Sequence, residues 1–123
     1  MNRPEAILQA AVVEAIALTE QFTPREVDIN PKPKGFIDPD ICGHPDLRVI
    51  GYTGDRQFDI ELKAGKGKLS ANQVRWHERH RLAGGSVYVA RNVLQCLIYC
   101  ALKSALWGYP HDRRLVALIR GLL

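Results

Sequence analysis

Two short segments of alternating apolar residues flank a Gly-Asp pair, and this feature constrains the fold more than any other in the chain. The segments are Leu47–Tyr52 and Gln57–Lys63. Because Gly-Asp suits a tight two-residue turn, we expect Thr53 to face Arg56 and the segments to pair as an antiparallel hairpin. That pairing sets the register of the whole ladder.

The expected register divides the hairpin into an apolar face and a charged face. On the charged face, Asp46 lies opposite Lys63, and Arg48 lies opposite Glu61. Asp46 and Glu61 are then diagonal neighbours roughly 7–8 Å apart at the backbone, so their carboxylates can converge on one ion. The apolar pairs are Leu47 with Leu62, Val49 with Ile60, and Gly51 with Phe58.

Before the hairpin, apolar residues at helical spacing predict an amphipathic helix over Pro4–Gln21. The connecting stretch Thr23–Pro45 holds five of the seven prolines. Proline lacks a backbone donor and restricts the preceding residue, so regular structure there should be short or absent. We therefore expect a connecting arm and not a second domain.

After the hairpin, Ser70 and Gln73 form a capping-box pattern that predicts a helix ending near Ala83. A β-branched and aromatic run then predicts a third strand, followed by two helices. These elements are Ser86–Ala90, Asn92–Leu106 and His111–Arg120. The order predicts an α/β fold, a small mixed sheet containing the hairpin and flanked by helices. The crossover helix allows the third strand to run parallel to the second.

The size and charge of the chain limit the function classes only loosely. A length of 123 residues with 46% hydrophobic content suits a single domain, 1–123. The 17 Lys and Arg outnumber the 13 Asp and Glu, and the resulting net charge of +4 weakly favours polyanionic partners such as nucleic acid.

Cysteine usage indicates a reduced, cytoplasmic setting. Cys42, Cys96 and Cys100 are an odd number, follow no disulfide framework, and come without a secretory signal. Cys96 and Cys100 lie four residues apart on an apolar predicted helix and should be core or interface residues. The longest apolar stretch, Val93–Trp107, falls short of the roughly 20 residues that span a bilayer, so no membrane segment is expected.

The charged face of the hairpin carries the residue types that phosphodiester hydrolysis requires. Hard divalent cations held by carboxylate oxygens activate water and offset the charge on phosphoryl oxygens. Asp46 and Glu61 supply such oxygens, and Lys63 points its ammonium to the same side of the strand as Glu61. The sequence therefore predicts a divalent-metal site on this face.

The pair Pro45-Asp46, followed by Glu61-Leu62-Lys63, resembles the PD-(D/E)XK nuclease motif. Either half occurs often by chance, and the strength of the resemblance lies in the order and spacing of the two. It implies a restriction-endonuclease-like core and a Mg or Mn ion as cofactor.

A second segment narrows the resemblance to one branch of that superfamily. Residues 68–76, Lys-Leu-Ser-Ala-Asn-Gln-Val-Arg-Trp, are similar to the Leu-Ser…Gln…Trp helix of the virus-type replication-repair nuclease (VRR-NUC) domain. Glu5 and Gln9 resemble its opening Glu…Gln pattern. The core that matches the family spans 1–92. The resemblance assigns no role to the helices within 93–123, which we expect to serve association or substrate choice.

The resemblance implies a role for each matching residue. Two carboxylates and one peptide carbonyl bind the metal, a lysine assists the attacking water, and two helix residues line the site. In this sequence the metal ligands are Asp46, Glu61 and the carbonyl of Leu62, the lysine is Lys63, and the helix residues are Glu5 and Gln73.

Several of these residues also have a purely structural explanation. The hairpin charges can be solvated cross-strand ion pairs worth roughly 0.2–1 kcal/mol each. Glu5 can close a capping box with Asn2, and Gln73 can do so with Ser70. Asp59 shares the charged face, as a solvent-exposed charge or as a partner of the metal ligands.

Basic residues near the predicted site are candidates for contacts with the DNA backbone. Lys66 and Lys68 lie in the Gly-rich loop after the hairpin, and Arg75 and Arg79 lie on the following helix. A hydrated loop and a charged outer helix face would explain them equally well. The loop lacks the spacing of a P-loop, so no nucleotide cofactor is expected.

Two competing sites are set aside. Asp40 also follows a proline, but it lies too far before the strand to join the hairpin face. A zinc site built from Cys42, His44, His77 and His80 matches no closed tetrahedral spacing.

The predicted function is a metal-dependent DNA endonuclease in the cytoplasm of a bacterium or encoded by a phage. Stand-alone members of the resembled family pair two sites in a dimer, which makes branched or Holliday-junction DNA the candidate substrate. Apolar residues also wrap around much of the helix after Asn92, and this predicts a homodimer. The alternative is a non-catalytic basic module that binds nucleic acid through Lys66, Lys68 and the second helix.

Overall fold

The computed structural model of the protein describes residues 3–27 and 45–123. Within these ranges the chain forms helices and strands in the order αβββαβαα. The elements are α1 (Arg3–Ala17), β1 (Phe22–Glu26), β2 (Leu47–Gly51), β3 (Gln57–Leu62), α2 (Ala71–Leu82), β4 (Val87–Ala90), α3 (Val93–Leu106) and α4 (Arg113–Leu122).

The strand β1 is a short element of five residues at the start of the proline-rich stretch, where regular structure was expected to be short or absent. The sequence pattern did not predict it as a strand. It pairs antiparallel with β2, and Phe22 lies opposite Gly51. The Val27 N–H donates to the Asp46 carbonyl oxygen at 3.1 Å. Because the direction of the backbone N–H alternates along a strand, the nitrogen of Pro24 lies on the side away from β2. Proline therefore costs this ladder no hydrogen bond.

The predicted hairpin forms, but its register differs from the expected one by two residues. Arg48 lies opposite Asp59, where Glu61 was expected. The N–H of Gly51 donates to the carbonyl of Arg56 at 2.9 Å, so four residues form the loop and not two. An even shift leaves every side chain on the face to which the sequence assigned it.

The sheet has the order β1-β2-β3-β4 and is mixed. β3 and β4 are parallel, with Ile60 opposite Tyr88, and α2 makes the crossover between them. The predicted parallel third strand is confirmed, as is the α/β fold with a hairpin in a small mixed sheet flanked by helices. The charged ends of β2 and β3 are consequently central in the sheet.

The apolar face of the sheet carries the core, α1 and α3 pack against it, and α4 packs against α3. The opposite face holds Arg48, Asp59 and Glu61, and α2 lies over it through its buried residue His77. Fully or nearly fully buried core side chains include Val12, Ile16, Phe22, Leu47, Val49, Phe58, Ile60, Leu62, Leu97 and Leu115. Among the described residues, no helix is long and apolar enough to cross a membrane.

The two cysteines of α3 are confirmed as core residues. Cys96 and Cys100 are free thiols with no exposed surface. Burial raises the pKa of Cys96 to about 12 and also raises the pKa of Cys100. Both behave as small apolar side chains.

A reciprocal set of hydrogen bonds joins the turn after α1 to the start of α4. The buried carboxylate of Asp112 caps α4 by accepting from the Leu115 N–H at 2.9 Å, and it also accepts from the Gln21 N–H at 3.0 Å. In return, Glu20 accepts from the Arg113 N–H at 2.9 Å. These hydrogen bonds hold the start of α4 against the turn that follows α1.

Candidate active site

Asp46 and Glu61 meet at the ends of the two central strands. In the observed register, the position after the Leu47–Ile60 pair places Asp46 directly opposite Glu61 and not diagonal to it. This is a non-hydrogen-bonded position, where side chains of antiparallel strands come closest. The proximity of the two carboxyl groups is evident in the pKa of Glu61, which Asp46 raises. The expected convergence is present, and the expected pairing of Asp46 with Lys63 is not.

The environment of Glu61 strongly favours its protonated form. Its side chain is 1% exposed. Burial, followed by the hydrogen bond to Asp46 and the negative charge there, raises the pKa of Glu61 to about 9, and Lys63 opposes this rise. Glu61 thus holds its proton next to another acidic group, in a place from which water is largely excluded.

Asp46 is held by the backbone of β3. Its Oδ2 accepts a hydrogen bond from the N–H of Leu62 at 2.9 Å. In an antiparallel strand the N–H and C=O of one residue point to the same side, so the carbonyl of Leu62 also faces the side of Asp46. Carboxyl oxygens of Asp46 and Glu61 and the carbonyl oxygen of Leu62 therefore lie together at this corner of the sheet.

Lys63 and Glu5 lie near each other beside this corner of the sheet. Both are close to Gly67, in the loop after β3: a Cβ added there would be 3.6 Å from Lys63 Cδ and 3.8 Å from Glu5 Oε1. Both charges act on the pKa of Glu61, Lys63 lowering it and Glu5 raising it. The N-terminal turn of α1 thus brings an acidic group close to Glu61. The proposed partner of Glu5 in a capping box, Asn2, lies outside the described residues.

A buried cluster on the other half of the face anchors α2. Asp59 Oδ1 accepts from Arg48 Nε at 3.1 Å, and Asp59 Oδ2 lies 3.1 Å from His80 Nε2. The ring of Trp76 stacks on His80 at 4.5 Å. Asp59 is 1% exposed, so the expectation that it is a solvent charge is wrong. The expected pairing of Arg48 with Glu61 is also wrong, because the register shift brings Asp59 to Arg48.

His77, which the sequence analysis considered only as a member of the rejected zinc set, lies on the site face of the sheet. It projects from α2 with 1% of its surface exposed, and its Nε2 lies 3.6 Å from Glu61 Oε1. Burial lowers the pKa of His77, and Arg81 and His80 add to this effect, so the imidazole is neutral near pH 7. The available signal was its position four residues after Gln73, on the side of α2 that must face the sheet.

Gln73 forms the capping box that the sequence offered as an alternative role. Its N–H donates to Ser70 Oγ at 3.2 Å, and its Oε1 accepts from the Ser70 N–H at 2.9 Å. The side-chain oxygen of Gln73 is therefore engaged in starting α2. Its amide NH₂ group is what Gln73 can still offer to a ligand.

The candidate DNA-contacting residues fall into two groups. Lys66 and Lys68 are exposed and flank Gly67, next to Lys63 and Glu5. Arg75 and Arg79 are exposed on the side of α2 opposite to His77, away from the carboxylates. The structure therefore brings the loop lysines to the site and leaves the helix arginines on an outer face.

The competing sites involve residues outside the described part of the chain. Asp40, Cys42 and His44 all lie there, so the structure does not address them. The other two members of the rejected zinc set have carboxylate neighbours: His77 lies beside Glu61, and His80 beside Asp59.

The donor set fits a hard divalent cation. Among residues 3–27 and 45–123, no three His, Cys, Asp or Glu side chains are grouped to hold a metal ion. Two converging carboxylates and a peptide carbonyl are present, however, and Mg²⁺ is commonly held by one or two carboxylates with water completing its shell. The raised pKa of Glu61 beside a second carboxyl group is a further sign, since a bound cation would favour the ionised form of Glu61.

Comparison with known proteins identifies the fold. No protein-family model and no curated protein matches the sequence. One solved structure, described as a VRR_NUC domain, matches with a TM-score of 0.54 and 25% sequence identity over 77% of this chain and 91% of that chain. Together with the site geometry, this match shows that the protein has the fold of a VRR-NUC domain of the PD-(D/E)XK type, a nuclease-type domain.

Proposed function

We propose that this protein is a divalent-metal-dependent DNA endonuclease. The observation that carries the proposal is the position of Asp46 directly opposite Glu61 at the ends of the two central strands, where Asp46 accepts from the Leu62 N–H and Lys63 follows Leu62. Solvated ion pairs would not explain this arrangement, because Glu61 is buried and its nearest acidic neighbour disfavours its charge. A site that tolerates such repulsion is suited to binding a cation.

Each residue of the site has a defined part in the proposed reaction. Asp46, Glu61 and the carbonyl of Leu62 hold Mg²⁺ or Mn²⁺, which when bound supplies Lewis-acid polarisation of a phosphoryl oxygen and an acidified water. The ammonium group of Lys63 orients the attacking water and offsets negative charge in the transition state. Glu5 lines the same pocket from α1.

The loop after β3 supplies the contacts to the substrate backbone. Lys66 and Lys68 are exposed within a few residues of the carboxylates, where phosphates on either side of the cleaved bond would pass. Arg91 holds this loop by donating to the Gly65 carbonyl at 2.9 Å. The amide of Gln73 and the outer arginines of α2, Arg75 and Arg79, extend the basic surface.

Substitution of the central residues tests the catalytic proposal. With Mg²⁺ or Mn²⁺, Glu61→Ala should abolish cleavage of DNA, and Lys63→Met should slow it by about 10²–10⁴-fold because the water loses its orienting group. Both variants should still bind DNA in fluorescence anisotropy. Glu78→Gln, an exposed carboxylate on α2, serves as the control and should cleave like the unmodified protein.

The same assay separates the enzyme from a non-catalytic binding module. If the unmodified protein binds DNA and never cleaves it with either metal, the endonuclease proposal is wrong and the binding module is favoured.

We further propose that the enzyme is a homodimer that cuts branched DNA. An exposed apolar row on α3 supports the dimer: Ile98, Leu102 and Leu106 are 40%, 51% and 72% exposed and recur every four residues. Two sites in one dimer suit paired incisions at a junction. Equal rates on a four-way junction and on linear duplex of the same sequence would contradict the branch preference.

A further inference from the structure

The position of His77 is not explained by packing alone. α2 is a strongly polar helix, and its one buried side chain is the imidazole of His77. Neither ring nitrogen of His77 has a hydrogen-bond partner, and Glu61 Oε1, which faces Nε2 at 3.6 Å, also has none. Leaving buried polar atoms unpaired costs free energy, and an aliphatic residue would fill the same space without that cost.

The surrounding contacts hold His77 at this distance from Glu61. One turn further along α2, His80 is fixed by Asp59, and Arg81 donates to the Val87 carbonyl at 3.1 Å. The capping box at Ser70 fixes the start of the same helix. The helix is therefore anchored at both ends, and the imidazole between the anchors has little freedom to turn elsewhere.

We propose that His77 is a positioning residue for the metal ligand Glu61: its Nε2–H donates to Glu61 Oε1 and leaves the other carboxylate oxygen for the cation and Asp46. This inference rests on the proposed metal site. A carboxylate ligand whose second oxygen is hydrogen-bonded keeps one orientation, and loss of such a partner typically weakens metal binding.

Mn²⁺ titration of the metal-free protein without DNA, by calorimetry, tests this role independently of cleavage. His77→Leu keeps the volume but has no donor, and it should weaken Mn²⁺ binding by at least about 10-fold. His77→Gln places an amide N–H near the position of Nε2 and should bind within about threefold of the unmodified protein. His77→Asn, whose amide is too short to reach, should behave like the Leu variant. His111→Gln, at an exposed histidine, controls for surface binding.

The outcomes distinguish this inference from the proposed function. If the unmodified protein binds no Mn²⁺, or if Glu61→Gln does not weaken binding, the metal site itself is wrong. If that site is present and His77→Leu binds as tightly as the unmodified protein, His77 has no positioning role. Equal weakening in the Leu, Asn and Gln variants assigns His77 to packing alone and also overturns the inference. Should His77→Leu not fold, the Gln and Asn variants still decide between these outcomes.

Discussion

At the scale of single residues, the site is dominated by one carboxyl group in an unfavourable position. Glu61 is buried between an aspartate and a histidine, and its ordinary pKa near 4.5 rises to about 9. A group that must hold a proton at neutral pH in the absence of metal gives the folded protein a measurable pH dependence.

Metal-free protein should lose stability as the pH rises from about 5.5 to 8.5. Because the folded-state pKa of Glu61 lies above the unfolded value, the folded state holds the extra proton. Its contribution is fully present below pH 4.5 and is lost as the pH rises through about 9, at up to about 1.4 kcal/mol per pH unit. Urea denaturation in EDTA measures this slope.

Glu61→Gln provides the comparison, since it keeps the shape and cannot ionise. We expect the pH slope of the unmodified protein to be steeper than that of the variant over this window. Parallel slopes would show that Glu61 titrates at its ordinary value, and the description of Glu61 as protonated beside Asp46 would then be wrong.

At the scale of elements, the hairpin shows how far its sequence determines the site. Alternation of apolar residues assigned each side chain to the correct face, but the turn chemistry misplaced the register. Gly54 has φ 82° and its N–H donates to the Gly51 carbonyl at 2.9 Å, so the glycine closes a four-residue loop instead of a two-residue turn. Asp46 and Glu61 nevertheless lie on the same face, as predicted, because a shift of two residues leaves each side chain on its face of the sheet.

Two features of the fold could not be predicted because they depend on distant residues. A proline argues against a strand when only the local sequence is considered, and β1 was therefore not predicted. Proline is tolerated in β1 because its nitrogen faces away from β2, which is apparent only when the pairing of the two strands is known. Likewise, the burial of Asp59 and His77 could not be predicted from the sequence, because it depends on the packing of α2 onto the sheet. The sequence pattern, in contrast, predicted α3 and β4 to within one residue, because apolar residues recur through both segments without a proline or glycine to interrupt them.

The cap of α4 is the element-scale contact with the largest expected effect on stability. Asp112 is 4% exposed and accepts from the Leu115, Glu20 and Gln21 N–H groups. Asp112→Ala leaves these donors buried without a partner and should lower the free energy of unfolding by about 2 kcal/mol or more.

Asp112→Asn is the matched variant, because asparagine is also a good helix cap, and its loss should be smaller than that of alanine. Chemical denaturation of the three proteins at pH 7 gives the comparison. An alanine variant as stable as the unmodified protein would show that the joint between α1 and α4 contributes nothing to stability.

At the scale of the whole molecule, the apolar row on α3 determines the expected assembly. Charges at Leu102 and Leu106, introduced together as Leu102→Lys and Leu106→Lys, should convert the proposed dimer to a monomer in sedimentation equilibrium. Circular dichroism should be unchanged, because both side chains are already at least half exposed. A monomeric unmodified protein at micromolar concentration would contradict the proposed dimer.

The orientation of Pro24 has a consequence for how this sheet meets other chains. Its nitrogen lies on the outward side of β1, so the middle of that edge offers no donor to an incoming strand. A neighbouring molecule cannot extend the sheet there by a regular ladder. Pro24, which made the strand difficult to predict from the sequence, thus also opposes edge-to-edge aggregation of the protein.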